Sequence, residues 1–586
     1  MSNRNILKYL TACVLILAGC SKDYLNRYPE TNISDGEFWK TSSDLRLYVN
    51  NMYDMLPNYN DWGSIGIYGV DADQGSDNMI GMGYLSNMNG EGTVPASGGN
   101  WDWGNLRRVN YFLANYSKSM EPLDNIKEYV GEAYFFRAWF YYDMLKKFGD
   151  LPWISKPLDP TSTELFDGRL PRNVIVDSLM ENLDMAVEYL PSKSKSQASR
   201  INKQMAQLLQ ARIAIFEGTW EKYHAGTVFG VAGSNGTKFL QKAANVTDNL
   251  MSNSDGYGLE SLEPSAPFAY WGLFNKTDYG NNSEIMLWRQ YVVNLNGGNY
   301  WSKYSSSGAS RGVTKDLVDA YLCKDGKPIS TSNFYKGDNT LIQVVADRDP
   351  RLAQTIAVND GKHILVKNRP NGLSDLIFER PTFSGSIETK CATGYQLYKG
   401  HNPDYNQQQD RGITGLIIMR FAEALLINAE AKAELGSFSQ SDANKTINKL
   451  RERVGMPPMV VDNLPNDLKP EFPELNRLIN EVRRERRVEM ACEGFRRDDL
   501  QRWAAMGIKI KGWKPKGAKR TQWDAQMEPG DKETYPVDAN GYIELYQKVP
   551  SLMEGYKFRI DRDYLLPIPA NQITLNKKII QNPGWK

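Results

Sequence analysis

Two blocks of this 586-residue chain, about 105–253 and 412–507, repeat apolar residues at three- and four-residue spacing. That spacing admits little except helices packed on one face. In NIKEYVGEAYFFRAWFYYDMLKKFG, Tyr129, Ala133, Phe136, Phe140 and Leu145 share a side, and Gly149 and Pro152 end the run. NLRRVNYFLANYSKSM precedes it. PRNVIVDSLMENLDMAVEYLP reads as a further helix between two prolines, and NKQMAQLLQARIAIFEGTW with TKFLQKAANVTDNLMSNSD as another pair. In GLIIMRFAEALLINAEAKAELG, Met419, Ala422, Leu426, Ala429 and Ala433 step by three and four; SDANKTINKLRERVG and ELNRLINEVRRERRVEMACEG follow. Upstream, Ser34 and Glu37 fit a capping box. SSDLRLYVNNMYDML then sets Leu45, Tyr48, Val49, Met52 and Leu56 on one face.

Residues 57–104 and 254–411 lose this rhythm. They are rich in Gly, Asn, Asp and Ser, with Pro turns and short strand-like runs such as EIMLWRQYVV. Irregular stretches of this length are functional or disordered. Aromatic residues, 11% of the chain with 14 Trp and 32 Tyr, argue against disorder. Helix pairs with small alanines at crossings and a glycine at the turn resemble tetratricopeptide units. The predicted fold is mainly α: a tetratricopeptide-like helical-repeat scaffold of about four helix pairs, with a large irregular, loop-rich ligand-binding insertion.

The first residues, MSNRNILKYLTACVLILAGC, place Arg4 and Lys8 before an apolar run that ends in Leu-Ala-Gly-Cys. The run is shorter than the roughly 20 residues a bilayer requires. It reads as a leader spanning residues 1–19, and its end resembles a bacterial lipobox. Cleavage would leave Cys20 first and acylated, and two or more chains anchor stably. Residues 20–586 then form one domain. The formal charge of +1 becomes −1 without the leader, which argues against a nucleic-acid partner. Cys323, Cys391 and Cys492 are too scattered for a disulfide framework or a CxxC metal site. His224, His363 and His401 are far apart in sequence. No catalytic residue, metal site or cofactor is predicted.

SGGNWDWGN, residues 97–105, sets two tryptophans two positions apart in a polar stretch. An extended backbone would point both to one face. Either a neighbouring element covers them, or they are held out for a ligand. Tyr270, Trp271, Phe274, Tyr279, Trp288, Tyr291, Tyr300, Trp301 and Tyr304 form a second aromatic set. There NGGNYWSKYSSSG again puts rings among Gly, Asn and Ser, and Trp288 reads as strand core.

Six stretches in order resemble the SusD/RagB family of surface lipoproteins from Bacteroidetes: CSKDYLNRYPETNISDGEFWKTSSDL, GEAYFFRAWFYYDMLKKFGDLPWI, RFAEALLINAEAKAELG, INKLRERVGMP, INEVRRERRVEMACEGFRRDDLQRW and YLLPIPANQITLNKKIIQNPGW. The last lies in a C-terminal family segment, 556–586. The resemblance implies a non-enzymatic protein, lipid-anchored at the outer membrane and facing the cell surface. It would capture oligo- or polysaccharide and deliver it to a SusC-like TonB-dependent transporter. Trp101, Trp103 and Asn105 match the family's glycan-contacting loop by position, with the spacing to Asn105 one residue tighter; the alternative is that one Trp packs under the loop onto the helix beginning near Leu106. An indole covers the C–H face of a pyranose, and Asn, Asp and Arg meet the hydroxyls around its rim. A family glycan site combines this loop with rings from the later insertion, which makes Trp301, Tyr300 and Tyr304 ligand candidates, while Trp271 could be core or ligand-facing. Peptide capture in the RagB manner is the alternative, and a lipid-anchored glycoside hydrolase a third reading.

DADQGSDN, residues 71–78, fails as a calcium loop, because Gly75 and Met82 stand where acids are needed. Asp73 or Asp77 could reach a sugar hydroxyl, or the segment could be a structural turn. Glu481, Glu485, Glu489 and Glu493 recur every fourth residue beside four arginines. This spacing predicts an internal salt-bridge network bracing the helices.

Overall fold

The computed structural model describes residues 38–59, 72–409 and 412–586. The leader, Cys20 and the Ser34/Glu37 pair lie outside the described residues. The main helices are α1 (Ser42–Asn50), α2 (Gly104–Asn115), α3 (Leu123–Phe148), α4 (Arg172–Tyr189), α5 (Lys203–Tyr223), α6 (Thr237–Ser252), α7 (Phe421–Glu434), α8 (Arg477–Glu489) and α9 (Arg496–Arg502). Side chains that accept from the first turn start several of them: Thr41 for α1, Asn202 for α5 and Asn476 for α8. From α3 to α8 each helix packs on the next, and α9 packs on α5. The chain is mainly helical, as its periodicity predicts.

Small residues set how closely these helices approach. A Cβ on Gly218 of α5 would stand 2.7 Å from the backbone nitrogen of Leu240 in α6. On α7, Ala422, Ala424 and Ala431 are wholly buried. One apolar cluster runs from Trp39 through the helices to Ile579, and a second, around Leu317, Tyr321, Tyr395 and Trp523, lies under the insertion.

Four short strands tie the insertion down: β1 (Met79–Gly81), β2 (Ile285–Arg289), β3 (Arg311–Val313) and β4 (Leu416–Arg420). β1 pairs antiparallel with β3, Met79 opposite Val313; β2 pairs antiparallel with β4, Ile285 opposite Arg420. β4 corrects the sequence reading, which began a helix in this run. Five residues of such a run suit a strand or a helix, and the partner β2 decides. A second correction is at Thr446, whose φ of −123° and ψ of −94° split the expected helix into Gln440–Lys445 and Ile447–Glu452.

The acidic face of α8 turns inward, as the four-residue repeat predicts. Arg451 pairs with Glu481 and Glu485 at 2.6 and 2.7 Å, and Arg351 with Glu485 and Glu489 at 2.7 and 2.9 Å. Arg420 reaches Glu284, Glu489 and Glu493 within 2.9 Å; Arg453 joins Glu284 and Glu489. Burial alone would raise Glu489, but Arg453, Arg420 and Arg351 outweigh it and hold the carboxyl far below its usual range.

Candidate ligand-binding site

The NWDWGN loop starts from a turn in which the Trp101 amide donates to Gly98 O at 3.0 Å, and Asn100 takes a left-handed φ of 65°. Asp102 accepts from Gly104 N at 2.9 Å, and Trp103 is the N-cap of α2. Side chains alternate between two cavities. Trp101 and Trp103 line one of about 320 Å³; Asn100 and Asp102, joined by Asn105, line another of about 450 Å³ between α3 and α5.

In the smaller cavity Trp101 is the support and Trp103 the wall. Trp101 is 8% exposed and meets Trp103 and Phe148 edge-on, at ring distances of 5.2 and 4.9 Å. Trp103 is half-buried, flanked by Phe140 and Tyr141 at 5.7 and 5.9 Å. Arg107, Asp167, Gln572 and the Lys156–Glu164 ion pair supply polar groups around it. Asn110 lines the same cavity and is 1% exposed. Its Nδ2 donates to Ile154 O at 2.9 Å, while its Oδ1 is buried with no hydrogen-bond partner among the described residues. The arrangement offers a ring face, charged rim groups and an unmet acceptor.

Other expected ligand residues are placed differently. Asp73 is fully buried: it accepts from Asn78 Nδ2 at 2.8 Å and from the amides of Cys492 and Gly494 at 2.8 and 3.1 Å. Burial raises its pKa despite these donors. Asp77 is equally buried, paired with Arg496 at 2.7 Å, Arg487 at 3.1 Å and Lys509 at 3.3 Å. Both acids clamp their segment to the α8–α9 junction, which corrects any sugar contact for them. Trp301 is 8% exposed, lies flat on Tyr59 at 5.6 Å and donates from Nε1 to Gly400 O at 2.6 Å. It lines a separate cavity of about 60 Å³, apart from the Trp103 cavity.

Tyr300 and Tyr304 are half-buried, their rings 6.4 Å apart. Trp271 is half-buried with one face on Tyr398 at 5.0 Å, and its Nε1 donates to Tyr398 O at 2.9 Å. Trp288 is half-buried in β2 and meets Tyr279 edge-on. Of the predicted residues, Trp103 and Asn105 line the two cavities beside the loop with partial or full exposure. Sequence reasoning missed Asn110, although a polar residue among the buried Leu106, Val109 and Phe112 of α2 is a readable signal. Arg107, Asp167 and Gln572 carried none.

Among the described residues, no group of three or more His, Cys, Asp or Glu could hold a metal ion. None of the described helices is long and apolar enough to cross a membrane. Cys323, Cys391 and Cys492 are free thiols.

Residues 273–585, more than half of the chain, match the model of the SusD family. The chain belongs to the SusD family. Residues 103–215, which include Trp103, Asn105 and Asn110, match a second model, described as starch-binding associating with outer membrane. SusD-like protein P2 of Formosa agariphila is 25% identical over 588 residues, covering 98% of each chain. Among solved structures, a SusD-like carbohydrate-binding protein from Bacteroides fragilis covers 92% of this chain and 99% of its own, at 21% identity and a TM-score of 0.69. A laminarin-binding SusD-like protein covers 93% and 100%, at 17% identity and a TM-score of 0.52. These likenesses carry the SusD fold over nearly the whole chain and bear out the helical-repeat reading. At the level of the family, these descriptions name carbohydrate binding and outer-membrane association.

Proposed function

We propose that this SusD-family protein captures an oligo- or polysaccharide at the Trp103 cavity without cleaving it. It then delivers the glycan to a SusC-like TonB-dependent transporter. Acyl chains on Cys20 hold it at the outer membrane, facing the cell surface.

The observation that carries this reading is one cavity holding both the half-buried Trp103 ring and the unmet Asn110 Oδ1. Covering apolar surface yields about 25 cal/mol per Å², so an indole against the C–H face of a sugar contributes roughly 2 kcal/mol. Asn110 Oδ1 then accepts from a hydroxyl, and the rim groups choose among sugars by which hydroxyls they meet. The starch-binding family description and the laminarin-binding neighbour support a glycan as ligand. Asn105, on the second cavity, extends the surface past the loop.

Native affinity gels cast with laminarin, starch, xylan and galactomannan test the proposal. The wild type is slowed by at least one, and Trp103→Ala runs as in a gel without glycan. Undiminished slowing of Trp103→Ala would move the site elsewhere, and free migration of the wild type in every gel would refute glycan capture.

A further inference from the structure

The 450 Å³ cavity beyond the loop is a space of small-molecule size. α3 gives it Trp139, half-buried and stacked on Phe135 at 6.0 Å. Phe495 forms another wall, with the guanidiniums of Arg212 and Arg486 at 5.3 and 5.5 Å from its ring centre. Arg486 is 3% exposed; its Nε donates to both oxygens of Asp499 at 3.0 and 2.9 Å. Its Nη1 is buried with no hydrogen-bond partner among the described residues. Such a donor carries a standing desolvation cost that an acceptor in the cavity would remove.

Charge selects the kind of acceptor. Each cation on the wall already faces a carboxylate: Lys146 meets Asp498 at 2.8 Å, Lys147 Asp143 at 2.6 Å, Arg212 Glu423 at 2.6 Å and Arg502 Glu430 at 2.5 Å. A free anion would enter with no uncompensated positive charge to meet it, at a large desolvation cost. A neutral, oxygen-rich ring needs only the unmet donor and the aromatic walls. We infer that this cavity is a second subsite for an uncharged sugar residue, with Arg486 as its buried hydrogen-bond donor and Trp139 as its ring wall. The inference rests on the glycan-capture reading and adds a site that is separate from Trp103 and selective for neutral sugars.

The test uses the full mature chain and titration calorimetry. Oligosaccharides are cut from whichever neutral polysaccharide slows it, with alginate fragments as the acidic arm. Trp139→Leu and Arg486→Lys are each expected to bind neutral oligosaccharides about tenfold more weakly. Trp139→Leu, on the half-buried wall, keeps the test informative if Arg486→Lys does not fold. Unchanged affinity in Trp139→Leu, beside a loss in Trp103→Ala, would overturn the second subsite while leaving glycan capture standing. Alginate fragments bound more tightly than neutral ones would overturn the choice of ligand. Absence of binding by the wild type would refute both.

Discussion

A tryptophan's role here follows from what covers its faces. Trp301 has Tyr59 on one face and its N–H bound to a carbonyl, whereas Trp103 is edge-supported and keeps part of its ring open. Replacing a core aromatic with Ala costs about 3–5 kcal/mol. Trp301→Ala should therefore lower the urea-unfolding free energy by about that amount with Trp103 untouched. Trp103→Ala should lose glycan at a smaller stability cost. Equal destabilisation of the two variants would contradict the contrast.

Buried charge gives a second residue-scale prediction. Glu489→Gln leaves Arg351, Arg420 and Arg453 facing a neutral amide. Breaking such a network costs about 3–5 kcal/mol, read as a lowered urea midpoint. Histidines set part of the pH dependence. Burial pushes His224 and His401 down to about 4. Unfolded, each titrates near about 6.5, so between these values the unfolded chain holds more protons. Stability present above pH 6.5 is therefore lost as the pH falls toward 4. Glu221, raised by burial to about 7, acts oppositely: its contribution is full below the unfolded value near about 4.5 and lost as the pH rises through 7. Urea midpoints between pH 7.5 and 5 should fall less steeply in His401→Asn than in wild type, and more steeply in Glu221→Gln.

At the scale of elements, helix contact depends on residues too small to notice. Gly218→Ala would drive a methyl against the backbone of α6, and overpacking of this kind costs about 1–3 kcal/mol. A thermal melt reads the loss; a stabilised Gly218→Ala would show that α5 and α6 are less closely held than described. Helices were the most legible part of the sequence, since α3 to α6 carry long unbroken periodicity between clear stops. β4 was not legible, because its partner β2 lies 127 to 135 residues earlier in the chain. The acidic repeat of α8 showed an internal network, but its partners Arg351, Arg420 and Arg453 come from distant segments. The candidate site divides likewise. NWDWGN announced itself by composition, while Asn110 and Arg486 gain meaning only when folding leaves one atom of each buried and unmet.

At the scale of the whole molecule, the fold presents two cavities on opposite sides of one loop, backed by helices that buried ion pairs link. A glycan crossing that loop would meet Trp103 first and the Arg486 cavity beyond it. The proposed lipid anchor belongs to this scale too. Cys20→Ala should move the protein from the membrane fraction to the soluble fraction and abolish fatty-acid labelling, with the ligand affinity of the folded chain unchanged. Retained membrane attachment would contradict acylation at Cys20. The most direct test of the central claim is a crystal structure with the oligosaccharide that the gels select. A sugar ring should lie on Trp103, with a hydroxyl donating to Asn110 Oδ1. A glycan bound instead at Tyr300 and Tyr304, with the Trp103 cavity unfilled, would contradict it.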